Sequence, residues 1–279
     1  MLIQEEMIAR VRQLCQQDGR VVAALMYGSF TKGEGDAYSD IEFYIFLDDA
    51  TYDAVDPAAW AAQVAPVALY FTNEFGTGTA IFENLVRGEF HFERASEMGA
   101  IRSWKQGGSL FNPDSMLLVD RTGELAEHLR YLSGPGPDRA APEHITWLWH
   151  SFLNWMLFGS NVLARGERAR ALEILSILQR YLLWLARIQE GTTQHWLTPS
   201  KNAEHDLSPD AYQRLTACTA DLRGDSLERA YAAAWNWGKE LIYALALKYA
   251  LNLPVALMDA LGIYLAERIR YADATPLSQ

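Results

Sequence analysis

One short segment divides this 279-residue chain into two parts with different sequence patterns. The segment SGPGPDRAAPE, residues 133–143, is rich in Gly and Pro and is typical of a linker or a sharp break. Short apolar runs and turn-rich pieces precede it, whereas only helical patterns follow it. The sequence therefore predicts an α+β fold class, with a mixed-sheet domain over residues 1–134 and an all-helical domain over residues 135–279.

The expected elements of the first domain are closely spaced strands rather than a long series of βαβ units. Predicted strands cover 21–27, 40–47, 67–72, 79–83, 85–92 and 115–120, and predicted helices cover the N-terminus up to Asp18, 57–63 and 124–132. In the second domain, helical patterns cover 143–165, 167–190, 208–222, 226–250 and 255–270. The apolar stretch 147–164 contains His, Ser and Asn residues, which favours a buried helix over a membrane span.

The overall charge limits the partners that this chain is expected to bind. A net charge of −11 and a pI near 5.0 argue against a nucleic-acid-binding surface and suit a small or cationic ligand better. Two cysteines are too few for a disulfide framework or a cysteine-based zinc site. The N-terminus lacks the apolar core of a signal peptide, so we expect a cytoplasmic protein without a membrane partner.

Two acidic residues stand inside an otherwise apolar predicted strand. Asp40 and Glu42 are two positions apart, so their side chains lie on the same face of that strand. The pair could bind one Mg²⁺, because hard carboxylate oxygens suit this ion and the ion offsets their mutual repulsion. The alternative is an edge strand whose acidic residues simply face water.

The residues before this strand favour the metal interpretation. Gly28 and Ser29 follow the apolar run 21–27, where exposed backbone N–H groups could receive a phosphate. A third acidic residue is expected from a neighbouring strand. Within 85–92 the side chains alternate, and Glu89 lies in mid-strand between aromatic residues. Glu89 is therefore the predicted third carboxylate, although a solvated strand face would show the same alternation.

This pattern resembles the nucleotidyltransferase superfamily that includes DNA polymerase β and antibiotic-modifying enzymes. The segments MYGSFTKGEGDAYSDIEFYIF (26–46), NLVRGEFHF (84–92) and RGERARALEILSILQR (165–180) are similar to lincosamide nucleotidyltransferases with an added helical C-terminal domain. The resemblance implies a polymerase β-like N-terminal domain. Glu42 departs from the commoner superfamily pattern, which has Asp there.

The resemblance implies a magnesium-dependent transfer of a nucleotidyl group, expected to be AMP from ATP, to a hydroxyl of lincomycin or clindamycin. Asp40 and Glu42 would bind the metal, and Ser29 with nearby N–H groups would hold the phosphates. Glu89 would act as general base, as a ligand of a second metal, or as both.

Basic residues that could contact the phosphates are few. Lys32 follows the Gly-Ser turn, and Lys201 and Arg170 could contribute from the helical domain. Each of them could equally be an ordinary surface residue.

The acceptor is expected in an acidic cleft with aromatic walls between the two domains. His91 and Glu93 extend the face that carries Glu89, and His150 and Asn154 recur at helical spacing on the other side. Asn161 continues that helical face, with Trp147 and Phe158 nearby. Aromatic residues at helical spacing are also typical of a core, which is the interpretation given to Trp235 and Trp237.

Two other functions are alternatives for the same residues, and the acidic residues favour only the first of them. An aminoglycoside nucleotidyltransferase would use the same chemistry on a polycation, which the acidic charge would suit. A non-catalytic nucleotide-binding module would have no need for three acidic residues together. The apolar helical domain is also compatible with a homodimer.

Overall fold

A computed structural model describes residues 1–107 and 112–268 of the protein. The chain divides into two compact units, Met1–Pro137 and Asp138–Gln279. Regular strands are confined to the first unit among the described residues. The predicted α+β fold class, with a mixed sheet followed by helices, is thereby confirmed.

The first unit is built on a six-stranded sheet with the order β3-β4-β5-β2-β1-β6. Its strands are β1 (Val21–Tyr27), β2 (Ile41–Leu47), β3 (Val67–Thr72), β4 (Gly78–Phe82), β5 (Arg87–Arg94) and β6 (Leu117–Asp120). The central pair β2 and β5 is parallel, and every other neighbouring pair is antiparallel. This pairing places the middle of β5 beside the strand that carries Glu42.

One face of the sheet packs on two helices, α1 (Ile3–Gln17) and α2 (Pro57–Ala61). Ile41, Phe43 and Ile45 point to this face and belong to a core that includes Val11 of α1 and Trp60 of α2. Because side chains alternate along a strand, the even-numbered residues of β2 lie on the opposite face.

The opposite face is covered by a 3₁₀ helix (Ala95–Gln106), a short helix α3 (Pro113–Met116) and α4 (Glu124–Leu132). Leu25 and Phe46 are buried here with Met98 and Ile101 of the 3₁₀ helix. The sequence prediction missed this 3₁₀ helix. Its Ala and Ser residues and Gly99 interrupt any regular spacing of large apolar side chains. The predicted strand 115–120 was too long, since its first two residues belong to α3.

The second unit contains six helices among its described residues, as well as a short 3₁₀ helix at Thr193–His195. The helices are α5 (Pro142–Ala164), α6 (Arg168–Glu190), α7 (Ala203–Asp206), α8 (Pro209–Ala217), α9 (Ser226–Tyr249) and α10 (Val255–Arg268). The helix predicted over 208–222 ends at Ala217, and the last two residues of the helix predicted to 270 lie outside the described residues.

The core of the second unit joins α5, α6 and α9 with the inner face of α10. Trp235 and Trp237 are buried in it, which confirms that they pack the C-terminal helices. The apolar stretch 147–164 belongs to α5, as predicted. Among the described helices, none is long and apolar enough to cross a membrane.

Candidate functional site

A tight turn after β1 begins the candidate site. Gly28 has φ +82° and ψ −155°, a backbone conformation that is essentially restricted to glycine. Ser29–Lys32 then form one 3₁₀ turn, in which the Thr31 hydroxyl donates a 2.7 Å hydrogen bond to the Gly28 carbonyl. A Cβ at Gly28 would overlap Oε2 of Glu42. The glycine therefore gives the Glu42 carboxylate room to lie against the turn.

The register of the central strands brings the predicted acidic residues together. Glu42 of β2 is the direct partner of Glu89 of β5, and Asp40 immediately precedes β2. The side chain of Asp40 is 39% exposed and that of Glu89 is 18% exposed. The three carboxylates therefore share the sheet face next to the Gly28 turn and remain open to solvent.

Arg87 lies among these carboxylates. One guanidinium nitrogen donates a hydrogen bond to Oδ2 of Asp40 and another donates one to Oε1 of Glu89. Burial alone would lower the pKa of Arg87, but these hydrogen bonds and the two negative charges outweigh it and raise that pKa. Arg87 is therefore a permanent cation that pairs with two of the three carboxylates and offsets one of their negative charges.

The three carboxylates have the chemistry that a divalent cation needs, but their arrangement is not that of a metal site. Asp40, Glu42 and Glu89 offer the hard oxygen ligands that Mg²⁺ prefers, and they lie beside a glycine turn whose missing side chain makes room for Glu42. Among the described residues, however, no three such side chains are gathered around one point as metal ligands. The chemistry of the three carboxylates fits a metal, and Arg87 supplies the positive charge in this arrangement.

Tyr27 and His91 form a chain of contacts that ends at Glu89 on the same face. The Tyr27 hydroxyl donates a 2.9 Å hydrogen bond to Oε2 of Glu89 and lies 3.1 Å from Nε2 of His91. Burial, followed by the charges of Glu89 and Glu42, raises the pKa of Tyr27. Burial lowers the pKa of His91, against the opposing effect of Glu89. At neutral pH both are therefore uncharged groups, Tyr27 acting as donor to Glu89.

A cavity of about 480 Å³ continues this face towards the other end of β2 and β5. Tyr44 and Glu93 line its strand side, and Glu97 and Trp104 line it from the 3₁₀ helix. His91 stacks on Tyr44 with ring centroids 3.9 Å apart. Of the two predicted acceptor residues of the first unit, the structure therefore places Glu93 in the cavity wall and His91 between Glu93 and Glu89 on β5.

The predicted phosphate-binding lysines lie in different units. Lys32 is exposed in the last turn of the 3₁₀ helix that follows Gly28. Lys201 belongs to the second unit, where its carbonyl accepts a 2.7 Å hydrogen bond from buried Arg187. Arg170, also in the second unit, lies over the ring of Phe158 and pairs with Glu167.

The predicted acceptor residues of the helical unit line a separate cavity. His150 and Asn154 are exposed on α5 and border an apolar cavity of about 280 Å³ that α10 closes. Asn161 accepts a hydrogen bond from the Tyr264 hydroxyl. Trp147 and Phe158 are exposed on α5, at 54% and 38%. Within this unit, His150 and Asn154 therefore line one cavity, whereas Asn161 is hydrogen-bonded to Tyr264 outside it.

Sequence reasoning missed Arg87 and Tyr27 as parts of the site. Arg87 is on the same side of the predicted strand as Glu89, two positions earlier, so the alternation already placed it beside the acidic face. Tyr27 is the last residue of β1, and its contact with Glu89 depends on the pairing order β1-β2-β5. No sequence signal gives that order.

The Gly28 turn and the three neighbouring carboxylates belong to the first unit, and the helical second unit follows them in the chain. Residues 141–264 match the family described as "Lincosamide nucleotidyltransferase-like, C-terminal domain". This match covers the helical unit, less than half of the chain, and it agrees with the resemblance inferred from the sequence.

The solved structures that match this chain are distant in sequence. An aminoglycoside 6-adenyltransferase from Bacillus subtilis has 13% identity and a TM-score of 0.46, with 97% of this chain and 100% of that chain covered. A nucleotidyltransferase-like protein from Exiguobacterium sibiricum 255-15 has 13% identity and a TM-score of 0.38, covering 88% and 76%. A comparison with curated protein sequences yields no significant match.

Proposed function

We propose that the protein is an O-nucleotidyltransferase that transfers AMP from ATP to a hydroxyl of a lincosamide and releases pyrophosphate. The observation that carries this proposal is the placement of Glu42 against the Gly28 turn with Glu89 as its register partner. A glycine turn and a group of carboxylates are what a triphosphate and an attacking hydroxyl require at one place.

In this mechanism Asp40 and Glu42, with Glu89 as a further ligand, would bind Mg²⁺. That ion would supply the charge that screens the triphosphate. Ser29 and the backbone N–H groups after Gly28 hold the terminal phosphates, with Lys32 as the nearest lysine in the sequence.

Glu89 accepts the proton of the acceptor hydroxyl. The hydroxyl oxygen forms a bond to the α-phosphorus while the bond from that phosphorus to the bridging oxygen breaks, and pyrophosphate leaves with the electron pair. Tyr27 holds one Glu89 oxygen through its 2.9 Å hydrogen bond, so the other oxygen is the one that takes the proton once Arg87 releases it. Tyr27 and Arg87 therefore orient the base.

The choice of a lincosamide over an aminoglycoside is supported by the match of residues 141–264 to the lincosamide nucleotidyltransferase-like family. His91 and Glu93 would contact the acceptor from the sheet. An aminoglycoside is the second candidate, because the net charge of −11 also suits a polycation.

The decisive experiment measures pyrophosphate release with Mg²⁺ and ATP, with and without clindamycin, and then the mass of the drug. We expect clindamycin-dependent release and a drug heavier by one nucleotidyl group. Glu89→Gln should retain ATP binding and lower turnover about 10²–10⁴-fold, the usual contribution of a general base. Glu83→Gln, at an exposed position before the same strand, is the matched control and should keep full activity.

Each outcome has a distinct meaning. Pyrophosphate release with an aminoglycoside but not with clindamycin or lincomycin would reject the lincosamide as acceptor and retain the nucleotidyl transfer. Near-normal turnover of Glu89→Gln would remove Glu89 from the mechanism. Absence of release with every acceptor and every common nucleoside triphosphate would reject the transferase proposal.

A further inference from the structure

The cavity beyond His91 has an aromatic corner. The rings of Tyr44 and Trp104 have centroids 4.9 Å apart and planes inclined by 61°. Phe46 and Ile101 add apolar surface beside them. Two inclined aromatic rings attract a cation through their negative faces, and they favour a cation that is attached to an apolar body.

The same cavity has an acidic side. Glu93 is half-buried at the end of β5, and Glu97 lies one turn into the 3₁₀ helix. Burial raises the pKa of Glu93, and the charge of Glu97 and a hydrogen bond with it act in the same direction. Two neighbouring carboxylates repel each other when both are ionised, so a cation between them would be stabilised.

The basic residues near this cavity are engaged by other groups. Arg94 pairs with Asp53, Arg102 donates a hydrogen bond to His128, and Lys105 donates one to the Tyr131 carbonyl. Among the described residues that line the cavity, none is a lysine or an arginine. Within the described part of the cavity wall, the two glutamates therefore have no basic side chain beside them.

We propose that this cavity binds a single protonated ring amine, with Tyr44 and Trp104 contacting its carbon atoms and Glu93 and Glu97 contacting its charge. The inference rests on the proposed function and names the cationic end of the acceptor. A volume of about 480 Å³ is enough for a ring system, within the range of small-molecule sites.

The position of the cavity relative to Glu89 fits one acceptor molecule. Glu89 and Glu93 are four residues apart on β5, which corresponds to about 13 Å along a strand. An acceptor could place its amine between Glu93 and Glu97 and its hydroxyl at Glu89. It would span this distance if the side chains of Glu89 and Glu93 both reach towards it. Half of the wall is aromatic or aliphatic, so a monocation on an apolar ring gains more here than a strongly hydrated polycation does.

The test uses the full chain labelled with ¹⁵N-tryptophan and two small probes, N-methylpyrrolidinium chloride and neutral N-acetylpyrrolidine. We expect the cation to shift the indole N–H signal of Trp104 saturably and the neutral amide to leave it unchanged. Trp104→Phe assigns that signal by removing it. Glu97→Gln should weaken binding of the cation about fivefold, because its exposed carboxylate contributes one ion pair. Glu83→Gln is the control and should bind the cation like the natural chain.

Equal binding of both probes, or unchanged binding of the cation in Glu97→Gln, would overturn the inference. Clindamycin-dependent pyrophosphate release without any response at Trp104 would reject the amine site and retain the proposed function. A cation-specific response at Trp104 without nucleotidyl transfer to any acceptor would retain the amine site and reject the proposed function.

Discussion

At the level of single residues, Arg87 donates hydrogen bonds to Asp40 and Glu89, two of the three carboxylates proposed to bind a metal. A cation that approaches these oxygens competes with the guanidinium. We therefore expect Arg87→Ala to bind Mn²⁺ about three- to tenfold more tightly in the absence of nucleotide, since each partly exposed ion pair contributes modestly. Manganese titration followed by electron paramagnetic resonance measures this affinity without any turnover.

Two variants control this prediction. Arg87→Lys retains the charge and should keep an affinity near that of the natural chain. Arg94→Ala removes the arginine at the other end of β5, where it pairs with Asp53, and should leave Mn²⁺ binding unchanged. An unaltered affinity in Arg87→Ala would show that the guanidinium does not compete for the metal oxygens.

At the level of elements, the turn from β1 into its 3₁₀ helix depends on glycine at both ends. Gly33 has φ +73° with open space around its Cα, so Gly33→Ala should cost about 1 kcal/mol and keep activity. Gly28→Ala places a methyl group on the Glu42 carboxylate in addition to the backbone strain. We expect turnover to fall about 100-fold or more, because displacing a reactive group by about 1 Å has this effect.

Thermal unfolding measures the backbone strain in the two glycine variants, and steady-state turnover measures the effect of displacing the Glu42 carboxylate. Similar losses of turnover in both would mean that the turn needs flexibility and that the contact with Glu42 is immaterial.

The strands and the acidic face were predictable because they depend on local patterns. Alternation alone put Glu42 and Asp40 on one side and Phe43 on the other, and the glycine turn preceded them. The contacts of Arg87 and Tyr27 depend on which strands pair, a choice made by tertiary packing. The 3₁₀ helix over 95–106, which closes the cavity at Trp104, lacks an apolar period and could not be read from sequence.

At the level of the whole molecule, each unit has its own hydrophobic core, and the second unit also contains a fully buried cation. Arg187 is completely inaccessible, donates to the carbonyls of Pro199, Thr192 and Lys201, and pairs with Asp206 at 2.9 Å. His195 lies 2.6 Å from the same carboxylate. This network fixes the irregular segment between α6 and α8.

The stability of the second unit should therefore depend on the ionised Asp206. Burial alone would raise the pKa of Asp206, but hydrogen bonds from Arg187 and His195 outweigh it and lower that pKa. The folded state thus binds the Asp206 proton more weakly than the unfolded state, whose pKa is about 3.9. The stabilisation is complete above that value and is lost as the pH falls through the lower pKa of the folded state.

Asp206→Asn should lower the free energy of unfolding by about 3 kcal/mol at neutral pH, because it leaves a buried guanidinium without its counter-ion. The difference from the natural chain should begin to shrink below about pH 4, where the unfolded chain takes up the proton, and should disappear below the lower pKa that Asp206 has in the folded chain. Urea unfolding at a series of pH values measures both. Asp210→Asn breaks only the exposed pair with Arg214 and should change stability by less than about 1 kcal/mol. A difference that persisted undiminished in acid would assign the loss to packing of the amide, because a contribution from the Asp206 charge must disappear when that charge is neutralised.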